Sequence, residues 1–298
     1  MRKLVLIAVV GLAAQLVDGS LGMGYGVTSS TLLLAVGLTP AAASASVHVS
    51  EMATNVASGV AHWRLRNVDW RVVGRIAVPG AIGSFLGATV LSSLSTEAAA
   101  PVMAGLLLLL GGYILVRTVI GRRPRPAKPL TIRLLAPLGL VAGFVDATGG
   151  GGWGPVATPA LLVDGRMAAR KVIGSIDTAE FAVSAAASLG FIIGLGAAGI
   201  RWDLALALIV GGVVAAPFAA WLVRILPAQL LGVAVGGMIV LSNLRTLLKA
   251  TDIAVQPRIA AYTAIVLVTV GALIVSLRRR TGQPAETART NQAATEAA

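Results

Sequence analysis

Long apolar runs alternate with short polar clusters along this chain, and the run lengths set its class. Ile76–Leu94, Ala98–Val116, Leu204–Val223, Ile225–Leu244 and Ile259–Leu277 each hold nineteen or twenty residues with no ionisable side chain. About twenty residues at 1.5 Å rise cover a hydrocarbon core roughly 30 Å thick. Backbone in lipid has no water to bond to, so each run must satisfy its own N–H and C=O groups as a helix. The pattern predicts an all-α polytopic membrane protein.

Composition agrees: 56% of the 298 residues are apolar, 12% are charged, and mean hydropathy is +0.87. That charged fraction is about half of what a soluble domain carries. The net charge of +12 sits in clusters between apolar runs, not along one face. Such clusters fit cytoplasmic loops beside a lipid bilayer and exclude a nucleic-acid partner. With no cysteine, disulfides, thiol chemistry and cysteine metal sites are excluded. Met1-Arg2-Lys3 before Leu4–Ala14 resembles a signal peptide. Its counterpart around Leu134–Val145 is internal and cannot be one, which favours reading both as membrane segments.

The chain also repeats itself. Gly11, Asp18, Gly22, Gly24 and Gly26 recur 128 residues later as Gly139, Asp146, Gly150, Gly152 and Gly154, and Tyr25 is matched by Trp153. Ser46 and Glu51 recur as Ser175 and Glu180 at a shift of 129, and Trp70 recurs as Trp202 at 132. The expectation is two tandem four-helix repeats, 1–120 and 132–250, each opening on a broken, Gly-rich first segment. The first repeat reads as segments 4–37, 40–62, 73–94 and 98–119; the second as 133–163, 167–197, 203–223 and 226–248. A basic, proline-rich linker loop occupies 121–131, an extra C-terminal ninth helix lies within 251–280, and a disordered tail fills 281–298. Arg2, Lys3, Arg64, Arg66, Arg71, Arg75 and the linker fall on one side, which places the N-terminus in the cytoplasm. Arg166, Arg170, Lys171 and Arg278–Arg280 fit that arrangement less well.

Chemistry concentrates at the two breaks. Asp18 to Gly26 holds four glycines, and Asp146 to Gly154 holds five, with Pro155 after it. Each glycine costs a continuous helix nearly 1 kcal/mol relative to alanine, so each stretch reads as an unwound break followed by a half-helix. A half-helix N-terminus offers N–H groups and positive dipole to an anion, and paired breaks at matching positions point to a transporter's site. The substrate-binding candidates are Gly22, Gly24, Tyr25, Gly26, Thr148, Gly150, Gly151, Gly152, Trp153 and Gly154. Close helix packing is the competing explanation for these glycines, as it is for Gly83/Gly87, Gly190/Gly194 and Gly232/Gly236.

Polar stripes come next. His48, Glu51 and Asn55 share one helix face, and Asp177, Glu180 and Ser184 repeat the same offsets. Ionisable groups inside a span are costly and face a wet interior or a partner. With Asp18 and Asp146 they form the interior polar or coupling set. Glu51 and Glu180 could take protons and couple transport to a gradient; alternatively the groups tie helices together, or pair with Arg170 or Lys171. Trp63, Trp70 and Trp202 border the loops and read as interfacial anchors.

These residues together resemble the TauE/SafE sulfite-exporter family, the TSUP permeases. The resemblance rests on Leu21-Gly-Met-Gly-Tyr-Gly26, Thr148-Gly-Gly-Gly-Gly-Trp-Gly-Pro155, Pro159-Ala-Leu-Leu162, Asn67-Val-Asp-Trp70-Arg71 and Arg170-Lys-Val-Ile-Gly-Ser175, and spans about residues 5 to 250. It implies a multi-pass permease of the bacterial inner membrane for sulfite, sulfonates or related organosulfur or carboxylate anions, with no cofactor and no metal. Tyr25 stands where members often have glycine, so the half-sites are unequal. No His-Glu-x-x-His, cysteine pair or Gly-x-Ser-x-Gly supports an enzyme. An anion channel, a non-transporting assembly or sensor subunit, and a homo-oligomer remain open alternatives.

Overall fold

The computed structural model describes residues 2–21, 23–120, 130–164, 167, 169–222, 228–250 and 255–281. Gly22, the linker from 121 to 129, Arg166 and the tail from 282 lie outside the described residues. Within the described set the chain is helical throughout. The elements are α1 (Arg2–Leu21), α2 (Tyr25–Ala35), α3 (Pro40–Arg64), α4 (Trp70–Ser93), α5 (Thr96–Ile120) and α6 (Ile132–Gly149). They continue as α7 (Trp153–Asp164), α8 (Ala169–Leu195), a single 3₁₀ turn, α9 (Trp202–Leu222), α10 (Ala228–Ala250) and α11 (Val255–Thr281). Six of these helices are long and apolar enough to cross a membrane. The polar buried face of α3 explains why that 25-residue helix is not among the six.

Local sequence fixes the boundaries. Thr39 accepts a hydrogen bond from the Ala42 amide at 3.4 Å, with Pro40 in the first turn of α3. Asp69 opens α4 by accepting from the Arg71 amide at 3.0 Å. Ser175 in turn accepts from the Asp69 amide at 2.8 Å, and Ser46 accepts from the Arg201 amide at 3.2 Å, just ahead of α9. The two recurring serines thus each pin the start of a helix in the other half. At the breaks, Gly24 has φ of 125°, and Gly150 and Gly151 have φ of 70° and 138°. A side chain is strained in that region, so glycine lets α1 and α6 end and a new helix begin within a few residues.

The halves interleave: α4 packs on α6 and α8, α9 packs on α1 and α3, α3 lies against α8, and α5 against α10. Glycine permits the closest crossings. A Cβ on Gly11 would stand 2.6 Å from the Leu208 carbonyl oxygen, and one on Gly83 would strike that of Leu140. For Gly83 and Gly87 in α4, close packing is therefore what the structure shows. The faces left exposed carry Val78, Ile82, Leu86 and Val90 on α4 and Leu206, Val210 and Phe218 on α9, the composition of a lipid-facing surface. Helix α11 packs chiefly on α10 and has no buried residue in its apolar window.

Candidate functional site

Both breaks lie inside the protein, and each is closed by the acid that precedes it. Asp146 Oδ1 accepts from the backbone amides of Gly152 at 2.7 Å and Trp153 at 3.0 Å. Asp18 Oδ1 accepts from the Tyr25 amide at 3.3 Å. The helix-start N–H groups expected to meet an anion thus already hold a carboxylate, so Asp18 and Asp146 are caps of α2 and α7.

Tyr25 and Trp153 turn inward. The Trp153 ring is fully buried, rests on Gly80 and donates its indole N–H to the Ile176 carbonyl at 3.0 Å. The Tyr25 ring rests near Gly212, and its hydroxyl lies 3.1 Å from Ser50 Oγ and 3.4 Å from the Leu208 carbonyl. Each aromatic ring bolts its break to a glycine of the facing helix. Thr148 bonds its own helix at the Phe144 carbonyl, 2.7 Å away, and Gly154 is buried at the start of α7.

The two breaks touch. A Cβ on Gly26 would lie 2.7 Å from Gly151 Cα and 2.7 Å from Glu51 Oε1. Ser30 donates to the Gly150 carbonyl, and Ser44 of α3 donates to the Ala147 carbonyl at 2.8 Å. Around this junction the polar stripes sort into two triads, each drawing on both halves. In the first, His48 Nδ1 lies 2.8 Å from Glu51 Oε2 and 3.8 Å from Asp146 Oδ2. The closer contact is an ion-pair distance without the alignment of a hydrogen bond. Ser184 donates to Glu51 Oε2 at 3.3 Å, and the imidazole stacks on Phe191 with ring centroids 6.0 Å apart. In the second triad, Asp18, Asp177 and Glu180 bring three carboxylate oxygens within 4.8 Å of one another. All six residues are buried.

The sequence grouped His48 with Glu51 and Asp177 with Glu180, but it could not show that each pair takes its third acid from the other half. Nor do Arg170 and Lys171 neutralise the second stripe: Lys171 donates to the Val68 carbonyl at 3.0 Å, and Arg170 is exposed. Asn55 is buried beside a groove of about 400 Å³ between α3, α4 and α8, lined also by Trp63, Trp70 and Thr178. Trp63, Trp70 and Trp202 stand exposed at helix ends, as interfacial anchors do. Sequence reasoning missed Gln15, 1% exposed and one turn before Asp18, whose amide oxygen and nitrogen have no hydrogen-bond partner. A lone amide in the otherwise apolar run of α1 was the available signal.

Comparison with known proteins agrees with this architecture. The chain is 50% identical over 284 residues to the "Probable membrane transporter protein YtnM" of Bacillus subtilis (strain 168), covering 94% of each chain. No solved structure matches it. Residues 7–246 match the family described as Sulfite exporter TauE/SafE, which takes in both breaks, both triads, most of α1 and every helix from α2 to α9. The chain belongs to the TauE/SafE sulfite exporter family.

Proposed function

We propose that this protein is a permease that carries a small anion across the bacterial inner membrane, with the two meeting helix breaks as its site. Sulfite, a sulfonate or a related organosulfur or carboxylate compound is the substrate class. The observation that carries the reading is the convergence of α2 and α7, whose starts face each other where Gly26 abuts Gly151. Two helix N-termini supply N–H groups and positive dipole at one place. Asp146 holds the Gly152 and Trp153 amides itself, so the reading rests on the positive dipole of the two helix starts, which favours a solute oxyanion at the junction.

Glu51 and Glu180 stand beside that place and would repel an anion when ionised, so the reading includes a cation moving with the anion, a proton carried by these glutamates being one candidate. Membership of the TauE/SafE family and likeness to a probable membrane transporter favour a carrier over an enzyme. A cytoplasmic N-terminus is supported by Arg64, Arg66, Arg71 and Arg75 around the turn between α3 and α4. The test is uptake of radiolabelled sulfite, sulfate and taurine into proteoliposomes, with and without an imposed proton gradient. Saturable uptake that the other anions compete is the expected result. Flux that never saturates would mean a channel, and no flux of any anion would overturn the substrate class.

A further inference from the structure

The two triads occupy equivalent places in the two halves but differ in one residue. At a shift of 129, His48 corresponds to Asp177 and Glu51 to Glu180; at 128, Asp18 corresponds to Asp146. Where one triad has an imidazole 2.8 Å from a glutamate, the other has a third carboxylate. Both oxygens of Asp177 lack a hydrogen-bond partner although the residue is only 4% exposed. Ser58 of α3 faces Asp177 without closing a hydrogen bond. The charged groups that reach this triad from neighbouring helices, Glu51 and Asp146, are acids as well. Independently, Gln15 lies on the Asp18 face of α1 with its amide unpartnered at 1% exposure, and the equivalent position in the other half is Gly143. Three clustered buried carboxylates with no basic group among them, one of which has both oxygens unpartnered, are what a cation site leaves when its ion is not counted.

We propose that Asp18, Asp177 and Glu180 bind a small hard metal cation, Na⁺ in the first instance, at the place where the other half of the molecule carries His48. Three oxygens within 4.8 Å of one another can converge on one ion, small side-chain adjustments bringing them to the roughly 2.3–2.6 Å typical of larger hard cations. An all-oxygen donor set with no imidazole or thiolate selects such ions over transition metals. Ser58, which faces Asp177, and Gln15, one turn before Asp18 on α1, are candidate additional oxygen donors. The inference rests on the permease reading for its purpose, since a bound cation would offset the charge that repels an anion, but not for its test.

The experiment is thermal unfolding of the purified full chain in detergent, with choline chloride replaced stepwise by NaCl at constant ionic strength and pH, and CaCl₂ as a second probe. Ligand binding to the folded state raises Tm as the logarithm of concentration. The wild type should gain about 3 °C or more with Na⁺ or Ca²⁺, the gain continuing to grow with the logarithm of concentration. Asp177→His, which copies the residue of the other triad, should fold and lose the response. His48→Asp should carry a second acidic triad and respond more strongly. No difference between choline and the metal salts, or a full response in Asp177→His, would overturn the proposal. Stabilisation by Na⁺ in a protein that moves no anion would keep the site and sink the permease reading instead, so the two failures are distinct.

Discussion

Removing the carboxylate that caps α7 should cost the fold far more than removing the one that caps α2. Asp146 is fully buried and accepts two amide hydrogen bonds, at 2.7 and 3.0 Å. A bond to a charged acceptor is worth about 1.5–3 kcal/mol, and a buried donor left without an acceptor loses that in full. Asp146→Ala should therefore destabilise by roughly 3 kcal/mol or more. Asp18 makes one such bond, at 3.3 Å, past the usual range, so Asp18→Ala should cost about 1 kcal/mol or less. Removing it also thins a cluster of like charges, which lowers the cost further. Asp146→Asn keeps an oxygen facing the two amides and should fall between. In choline buffer, with no metal cation present, these figures predict a Tm drop of roughly 6–12 °C for Asp146→Ala and about 2–4 °C at most for Asp18→Ala. The assay is tryptophan fluorescence of the detergent-solubilised protein during heating. Equal losses in the two alanine variants, or an Asp146→Asn loss as large as that of Asp146→Ala, would refute the capping argument.

Glycine substitutions should separate packing sites from tolerant ones: Gly83→Ala would drive a methyl into the Leu140 carbonyl and should abolish recovery of folded protein by size-exclusion chromatography, whereas Gly105→Ala meets nothing within 4 Å and should leave Tm unchanged or raise it, by up to about 1 kcal/mol of helix propensity. Trp153→Phe should destabilise by about 1–3 kcal/mol in thermal unfolding, through loss of the bond to the Ile176 carbonyl and of ring volume against Gly80. Gly151→Ala places a side chain at φ of 138° against the Val27 amide and should part the two breaks. It should reduce anion uptake in proteoliposomes at least as strongly as it lowers Tm. Glu180→Gln should remove cation-gradient stimulation of uptake while leaving the protein inserted and folded, checked by flux with and without the gradient.

The sequence exposed what local physics controls. Uncharged runs located the clean spans, so the segments expected at 73–94, 98–119 and 203–223 emerge as α4, α5 and α9 within a few residues. Glycine-rich breaks were legible because φ values such as that of Gly151 are strained for other residues. The stripe from His48 to Asn55 was legible because helical spacing alone puts those residues on one face. What stayed hidden depends on contacts across more than a hundred residues. Asp146 joining His48 needs α6 to meet α3, and Asp18 joining Asp177 needs α1 to reach α8, which itself packs on α3; no spacing encodes these contacts. Trp153 read as a residue that could touch solute, because its neighbours are glycines. The structure instead buries it against Gly80, a partner 73 positions away. Asp18 and Asp146 read as interior polar or coupling residues, and that they also cap α2 and α7 was equally beyond local pattern.

Counterflow tests the central claim, a carrier for small anions, most directly. Proteoliposomes loaded with unlabelled sulfite and diluted into a trace of labelled sulfite, with no ion gradient, should accumulate label transiently above its equilibrium level, because a carrier exchanges solute through one alternately exposed site. Label that only equilibrates would contradict the account and indicate a channel, and label that never enters would show that the paired helix breaks do not serve this class of anion.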